Sequence, residues 1–251
     1  MTAISIVVIA KNEEEIIEGC LQSVSWADEI IVVIDDKTTD NTAKIAKKYT
    51  DKVFKRKYDR APNQKQFALD RAKNEWVFVL DADERVTPKL RKEIIRNLKS
   101  KKYVAYHTYF QTVFLGKVFD ASTIRFQGTQ RLFKRSKCRF IPNTAHEKMA
   151  IDGQIGVLKN EVLHFTSRSI SQTIAKNNFY TSLEANELNK AGIRTNLLVV
   201  FLAPLNIFLR IYFGEKKYRN GVYGFVYTLL QANYCFIKHL KMWELQLVEK
   251  K

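Results

Sequence analysis

Cysteine is scarce in this chain, and its placement excludes two ways of stabilising a fold. Cys20, Cys138 and Cys235 lie far apart and form no CxxC pair. Neither a zinc site nor a disulfide framework is expected, and a reducing cytosolic compartment fits. No basic stretch precedes the apolar run Ile4-Ser5-Ile6-Val7-Val8-Ile9, and no small-residue cleavage site follows it, so a signal peptide is not expected. A glycine-rich phosphate loop is also missing after that run, where the sequence reads Ala10-Lys11-Asn12-Glu13-Glu14-Glu15. Its absence argues against a sugar-1-phosphate nucleotidyltransferase, the alternative enzyme that would join an α/β sheet to acidic metal ligands. Uninterrupted apolar runs of the roughly 20 residues a membrane span needs are lacking too. The stretch 197–213 is broken by Pro204, Asn206 and Arg210, and 221–240 by Gln231, Asn233, Lys238 and His239.

Acidic residues are in deficit: 26 Asp and Glu against 42 Lys and Arg leave a net charge of +16 over 251 residues. That balance attracts phosphate-bearing substrates, nucleic acid or anionic lipid. A nucleic-acid reading needs basic clusters with exposed aromatics on a recognisable module, and we expect no nucleic-acid partner. The length suffices for one sizeable core, alone or with a smaller appendage.

Within this basic chain, Val77-Phe78-Val79-Leu80-Asp81-Ala82-Asp83-Glu84 stands out. A non-alternating apolar run suits a strand buried on both faces, as in a parallel sheet. Asp81 and Asp83 then mark its carboxyl end, the edge where open α/β sheets hold ligands. Carboxylates at i and i+2 there can face a hard divalent cation that also grips nucleotide phosphates; alternatively, one of them caps the next helix.

The first hundred residues alternate strand and helix. Strands are expected at 4–10, 29–34, 52–55 and 76–80. Helices are expected after Asn12 as cap, after Asp40, over 64–72 behind Pro62, and from Asp83 or Thr87 with Pro88 first. This pattern predicts right-handed βαβ units and a parallel sheet. From Tyr103 the pattern changes to strands at 103–110, 113–119, 130–133 and 161–164 without long helices between them. A helix capped by Ser169 runs to about Ala191, and the two apolar stretches follow. The expected organisation is therefore a nucleotide-binding type of α/β half (1–100), a mixed-sheet half that completes a substrate cleft (101–168) and a helical region (169–251). The last two stretches are rich in Phe, Tyr and Leu and are flanked by Arg194, Lys216, Lys217, Arg219, Lys238 and Lys241. Such a composition suits helices lying in the interface of an anionic membrane, as it also suits a packed helical subdomain or a dimer interface.

Four segments occur in an informative order: Ile6–Glu13, then Val33-Ile34-Asp35-Asp36-Lys37-Thr38-Thr39-Asp40-Asn41-Thr42, then Gln64-Lys65-Gln66-Phe67-Ala68-Leu69, then Leu80-Asp81-Ala82-Asp83-Glu84. This order resembles the inverting family 2 glycosyltransferases with the GT-A fold. Within them it resembles most the bacterial lipopolysaccharide-core β-glucosyltransferases. Gln130-Arg131-Leu132-Phe133, His146-Glu147, His164 and the tail from Ser169 extend the resemblance, more weakly, over nearly the whole chain. It departs from the family pattern at Asp36 and Lys37, where small residues are usual, and at Gln66, where Asn is common.

The resemblance implies an α/β GT-A domain with a C-terminal helical extension, a UDP-sugar donor (UDP-glucose expected), a glycolipid or lipopolysaccharide-core acceptor, and Mg or Mn as cofactor. It implies a cytoplasmic enzyme, peripheral on the inner face of the cytoplasmic membrane. Asp35, ending the second strand, can accept hydrogen bonds from a nucleobase or ribose, and the resemblance makes it the uracil contact; otherwise it is a turn carboxylate. Glu13 is a weaker candidate for the same pocket and could simply favour a helix N-terminus. Lys65 sits where the family places a basic residue near uridine or diphosphate; the alternative is a solvated helix face. Asp83 resembles the direct metal ligand of the DxD motif, and Asp81 its ribose- or water-side partner. Glu147 is our choice of general base for the acceptor hydroxyl, against a structural ion pair with Arg131 or Arg139. His146 could orient Glu147 or touch a phosphate. His164 is read as a core histidine.

Overall fold

A computed structural model describes residues 2–123, 125–142, 147–167 and 169–248. The chain forms two compact units. One comprises 1–111 and 126–164, the other 112–125 and 165–251.

In the first unit, β1 (Ile4–Ala10), β2 (Glu29–Asp35), β3 (Val53–Arg56) and β4 (Trp76–Asp81) run parallel in the order β3-β2-β1-β4. Every residue of β2 is buried, as are all but Ile9 of β1 and all but the terminal Asp81 of β4. Non-alternating apolar runs are therefore covered on both faces, by α1 (Ile17–Ser23), α2 (Thr42–Ala46) and α3 (Ala61–Leu69) among others. The alternation in the sequence predicts this layer correctly.

Asn12 does not cap α1. It takes a left-handed backbone (φ 52°), and its side-chain oxygen accepts the Thr39 N–H at 2.9 Å, tying the loop after β1 to the loop after β2. After β4 the chain turns at once into a short strand that periodicity could not reveal, β5 (Glu84–Val86). Thr87 then caps α4 (Pro88–Asn97) by accepting the Leu90 N–H at 3.1 Å, while Leu90 and Ile94, one turn apart, are buried.

The sheet continues beyond β4. Here β6 (Ala105–Phe114), β8 (Arg125–Lys134) and β11 (Ile155–Ser167) are longer than the sequence pattern indicates, and the order is β4-β8-β6-β11-β5. β8 pairs antiparallel with β4, and β11 antiparallel with β5. The expected strands at 103–110 and 113–119 are one strand, β6, followed by a tight turn at Leu115-Gly116 into β7 (Lys117–Val118). Both turn residues have positive φ (48° and 79°), the conformation a two-residue hairpin of matching twist requires and the reason for glycine there. A separate ribbon, β9 (Cys138–Phe140) with β10 (Met149–Ile151), was not foreseen.

In the second unit, α5 (Ile170–Lys190) is capped by Ser169, α6 (Leu197–Leu209) by Asn196. α6 runs through Pro204 and loosens into a π turn at Arg210–Gly214 before α7 (Gly221–Val248) returns. Gly224 is required: a Cβ there would lie 1.9 Å from the Lys217 carbonyl oxygen. A polar seam fastens α5 to α7, with the Tyr234 hydroxyl donating to Glu184 at 2.6 Å and the Lys241 ammonium to Asn178 O and Oδ1, both at 2.7 Å.

Candidate active site

The carboxyl ends of the parallel strands carry the acids. β2 and β4 both pair with β1, so Asp35 and Asp81 end strands two places apart, about 10 Å by ordinary strand spacing. That separation suits a ligand with two polar ends.

Asp35 is buried. Its Oδ1 accepts the N–H groups of Lys37 (3.2 Å) and Tyr58 (3.4 Å), and the Lys11 ammonium lies 2.8 Å from Oδ2. Burial alone would push its carboxyl up; the Lys11 and Lys37 bonds outweigh that and hold it below its ordinary value. Glu13 lies at the mouth of the α1 turn, its N–H donating to Thr42 Oγ1 at 2.7 Å and its carbonyl accepting from Ile16 and Ile17.

Lys65 is the centre of the second cluster. Although it sits on α3, its side chain is wholly buried, not solvated: its ammonium lies 3.0 Å from Asp81 Oδ1 and 2.6 Å from Glu147 Oε1. Glu147 is thus ion-paired with Lys65 rather than with Arg131 or Arg139 by direct contact. Asp81 spends its other oxygen on Arg131, at 2.9 Å, and Arg131 reaches Glu84 at 2.6 Å. Glu84 also accepts the Asp81 backbone N–H at 2.9 Å. Burial would raise the Asp81 carboxyl, but Lys65 and Arg131 hold it well below the usual carboxylate range. Glu84, more deeply buried, is pushed up by its burial and by Asp81 against the pull of Arg131. The chain Glu147–Lys65–Asp81–Arg131–Glu84 is therefore a continuous alternation of charge.

Asp83 faces elsewhere. Antiparallel pairing of β5 with β11 sets His164 opposite Glu84, and this register brings His164 Nε2 to 3.4 Å from Asp83 Oδ2. His164 is accordingly a member of the site and not a core histidine. Burial would lower its pKa, but Asp83, Glu84 and Asp81 raise it overall. Phe110 lies against both His164 and the Arg131 guanidinium. Among the described residues no three His, Cys, Asp or Glu side chains form a metal-binding group. A cation at Asp83 would take one carboxylate from the protein and most of its other ligands from phosphate and water, the habit of Mg²⁺ and Mn²⁺ at nucleotide sites, with the His164 imidazole as one nitrogen ligand, a type less usual for these hard ions. The donor set fits such an ion. His146 lies outside the described residues.

Sequence reasoning missed Lys11, Arg131 and Glu84 as site members. A signal existed for the last two: a charge inside the apolar strand Gln130-Arg131-Leu132-Phe133, and a third acid after Asp83, each require a buried partner.

The family profile described as Glycosyl transferase family 2 matches residues 5–154. The chain is 29% identical over 250 residues to "Lipopolysaccharide core biosynthesis glycosyltransferase LpsC" of Rhizobium meliloti (strain 1021), covering 96% of this chain and 92% of that protein. It is also 29% identical to "Uncharacterized glycosyltransferase RT0209" of Rickettsia typhi (strain ATCC VR-144 / Wilmington), covering 98% and 89%. Among solved structures it resembles the mannosyltransferase PcManGT from Pyrobaculum calidifontis, in complex with GDP-Man and Mn²⁺. The TM-score is 0.52 and the identity 14%, over 95% of this chain and 86% of that one.

Proposed function

The chain belongs to glycosyl transferase family 2 and is a glycosyltransferase of the GT-A fold with a C-terminal helical extension, and we propose that it transfers a hexose, glucose by our reading, from UDP to a lipid-linked or lipopolysaccharide-core glycan with inversion. The observation that carries this reading is the alternating chain from Glu147 to Glu84 beside the Asp83–His164 pair.

Asp35 receives the uridine, with Glu13 at the rim of the same pocket. Asp83 and His164 would hold the divalent ion, with Asp81 behind them on its ribose or water side. Bound there, Mg²⁺ or Mn²⁺ supplies Lewis-acid neutralisation of the diphosphate. Lys65, whose ammonium lies 3.0 Å from Asp81 and 2.6 Å from Glu147, supplies a cation to the leaving phosphate and steadies the base. The acceptor hydroxyl gives its proton to the Glu147 carboxylate as its oxygen bonds to the anomeric carbon; the bond from that carbon to the β-phosphate oxygen breaks, and UDP departs with the electron pair. Attack from the face opposite the diphosphate gives the β-linked product.

The acceptor class draws on the similarity to LpsC, a lipopolysaccharide core biosynthesis glycosyltransferase. Three free, buried cysteines suit the reducing cytoplasm, and we place the enzyme on the inner face of the cytoplasmic membrane. The test is a donor screen that follows UDP release from each UDP-sugar with and without Mn²⁺. The expected result is metal-stimulated release from UDP-glucose above all others. Preference for another UDP-hexose would replace the donor assignment, and no release from any nucleotide sugar with either ion would overturn the reading.

A further inference from the structure

We propose that α6 is an in-plane membrane anchor, immersed along its length in the interface of an anionic bilayer. This goes beyond the transferase reading and rests on it only for the use the cell makes of the anchor. The residues 197–214 form a continuous helical segment of 18 residues with mean hydropathy 2.0, yet only Val200 and Ile211 along it are buried. Leu197, Leu198, Phe201, Leu202, Leu205 and Leu209 are each about half or more exposed, from 47% to 68%. At 100° per residue these six and Val199 occupy an arc of roughly 200°. A seam against one protein partner needs little more than about 100°; an arc twice as wide is wetted from several directions, as by hydrocarbon and lipid glycerol.

Charge points to the same occupant. Between Glu187 and Glu244 the chain has a single acidic residue, Glu215. Lys190 and Arg194 before α6 and Arg210, Lys216 and Arg219 after it are exposed. Basic side chains bracketing an apolar helix match an anionic surface. The C-terminal end also carries an aromatic cluster, Phe208, Tyr212, Tyr218 and Phe225, with ring centroids 5.4–6.2 Å apart. Such rings favour the depth of the headgroups.

The length of the segment would also permit a span, but its fastenings favour the plane. At its start, Thr195 Oγ1 bonds His239 Nδ1 at 3.3 Å. Just past its end, the Lys217 ammonium donates to Thr123 O at 3.1 Å, and Asn220 Oδ1 accepts the Asp120 N–H at 2.7 Å. Both ends are thus tied to folded polar parts of the same unit, and a crossing helix would carry one of those attachments through the bilayer.

The experiment uses the full chain with vesicles of phosphatidylcholine alone or with about one third phosphatidylglycerol. Flotation with the anionic vesicles is expected, reduced but not abolished in 1 M salt, because apolar burial survives screening. Phe201→Glu with Leu202→Glu should weaken partitioning at least about a hundredfold while leaving UDP binding and circular dichroism unchanged. Spin labels at Leu198→Cys, Leu205→Cys and Phe213→Cys should report one common depth. Failure to float, flotation unaffected by the double variant, a depth graded from one label to the next, or a vesicle-indifferent dimer that the double variant dissociates would each overturn the proposal. Loss of UDP binding in the wild-type chain would strike the transferase reading and leave the anchor standing.

Discussion

Replacing Lys65 by Met keeps most of the stem and deletes a buried cation that touches two carboxylates. In the wild type its ammonium is 3.0 Å from Asp81 and 2.6 Å from Glu147. Without it Asp81 keeps only Arg131, and Glu147 loses its direct partner. Removing one member of a buried ion pair costs about 3–5 kcal/mol. Asp81 and Glu147 are each about one third exposed, at 31% and 32%, so water recovers part of this, and we expect a net loss of about 2–4 kcal/mol.

The pH dependence follows from Asp81. Its folded-state pKa lies well below the ordinary carboxylate value, with Lys65 and Arg131 outweighing the burial that would raise it. A depressed carboxylate contributes stability that is complete above the unfolded pKa, about 3.9, and is lost as pH falls below it toward the folded value. The gap between wild type and Lys65→Met should therefore be full at pH 7 and 5 and shrink by pH 3.5. Urea unfolding followed by fluorescence, to which Trp26 and Trp76 of the same unit contribute, measures it. A gap below about 0.5 kcal/mol at pH 7, the ordinary range of a surface substitution, or a gap independent of pH would refute the argument.

Other substitutions separate the remaining roles. Asp83→Ala should reduce metal-stimulated UDP release roughly a hundredfold or more, and unchanged metal dependence would remove Asp83 as ligand. His164→Ala should weaken Mn²⁺ affinity about tenfold or more by titration calorimetry with UDP present, an effect a core histidine would not have. Glu147→Gln should lower kcat by about 10²–10⁴ with UDP affinity retained; full activity would exclude it as base. Arg131→Met leaves Asp81 and Glu84 facing each other and should cost about 3–5 kcal/mol in urea, part of which Glu84→Gln in the same chain should restore.

The parallel layer was legible because three apolar runs without alternation, β1, β2 and β4, permit little else; residue chemistry alone gave Ser169 as a cap but left Asp83 and Thr87 as alternatives before α4, between which the structure chooses Thr87. The extension of the sheet was only partly legible. β5 has three residues, two of them charged, too few for any period, and β11 alternates exposed and buried positions only over its first five residues and is mostly half-buried after them. Those two strands are what deliver His164 to Asp83, so the histidine could not be assigned before their register was known. Lys65 was readable as a functional candidate from its motif, but its burial was not, because α3 has almost no amphipathic pattern to show which face turns inward. Asn12 shows a limit of another kind. Its residue type suits a cap, yet the left-handed conformation of the turn uses the same side chain to join two loops.

The charges of the site bear on why a donor would need a divalent ion at all. Asp35, Asp81, Asp83, Glu84 and Glu147 meet Lys11, Lys65 and Arg131. The carboxylates exceed these three cations by two, and a proton on either Glu84 or His164, both of which the site favours, lowers the excess to one. The long-range field of the molecule, at +16, draws a diphosphate inward, but within a few ångströms the local excess is negative. Two like charges at about 4 Å repel by about 4 kcal/mol at an effective dielectric of 20. A UDP-sugar entering alone would add its own negative charge to this excess, whereas one entering with Mg²⁺ or Mn²⁺ adds almost none. Attraction at a distance and selection at contact are thus set by different residues. Added salt should lower kcat/KM by screening the first, while stimulation by the ion, which would arise from the second, should persist.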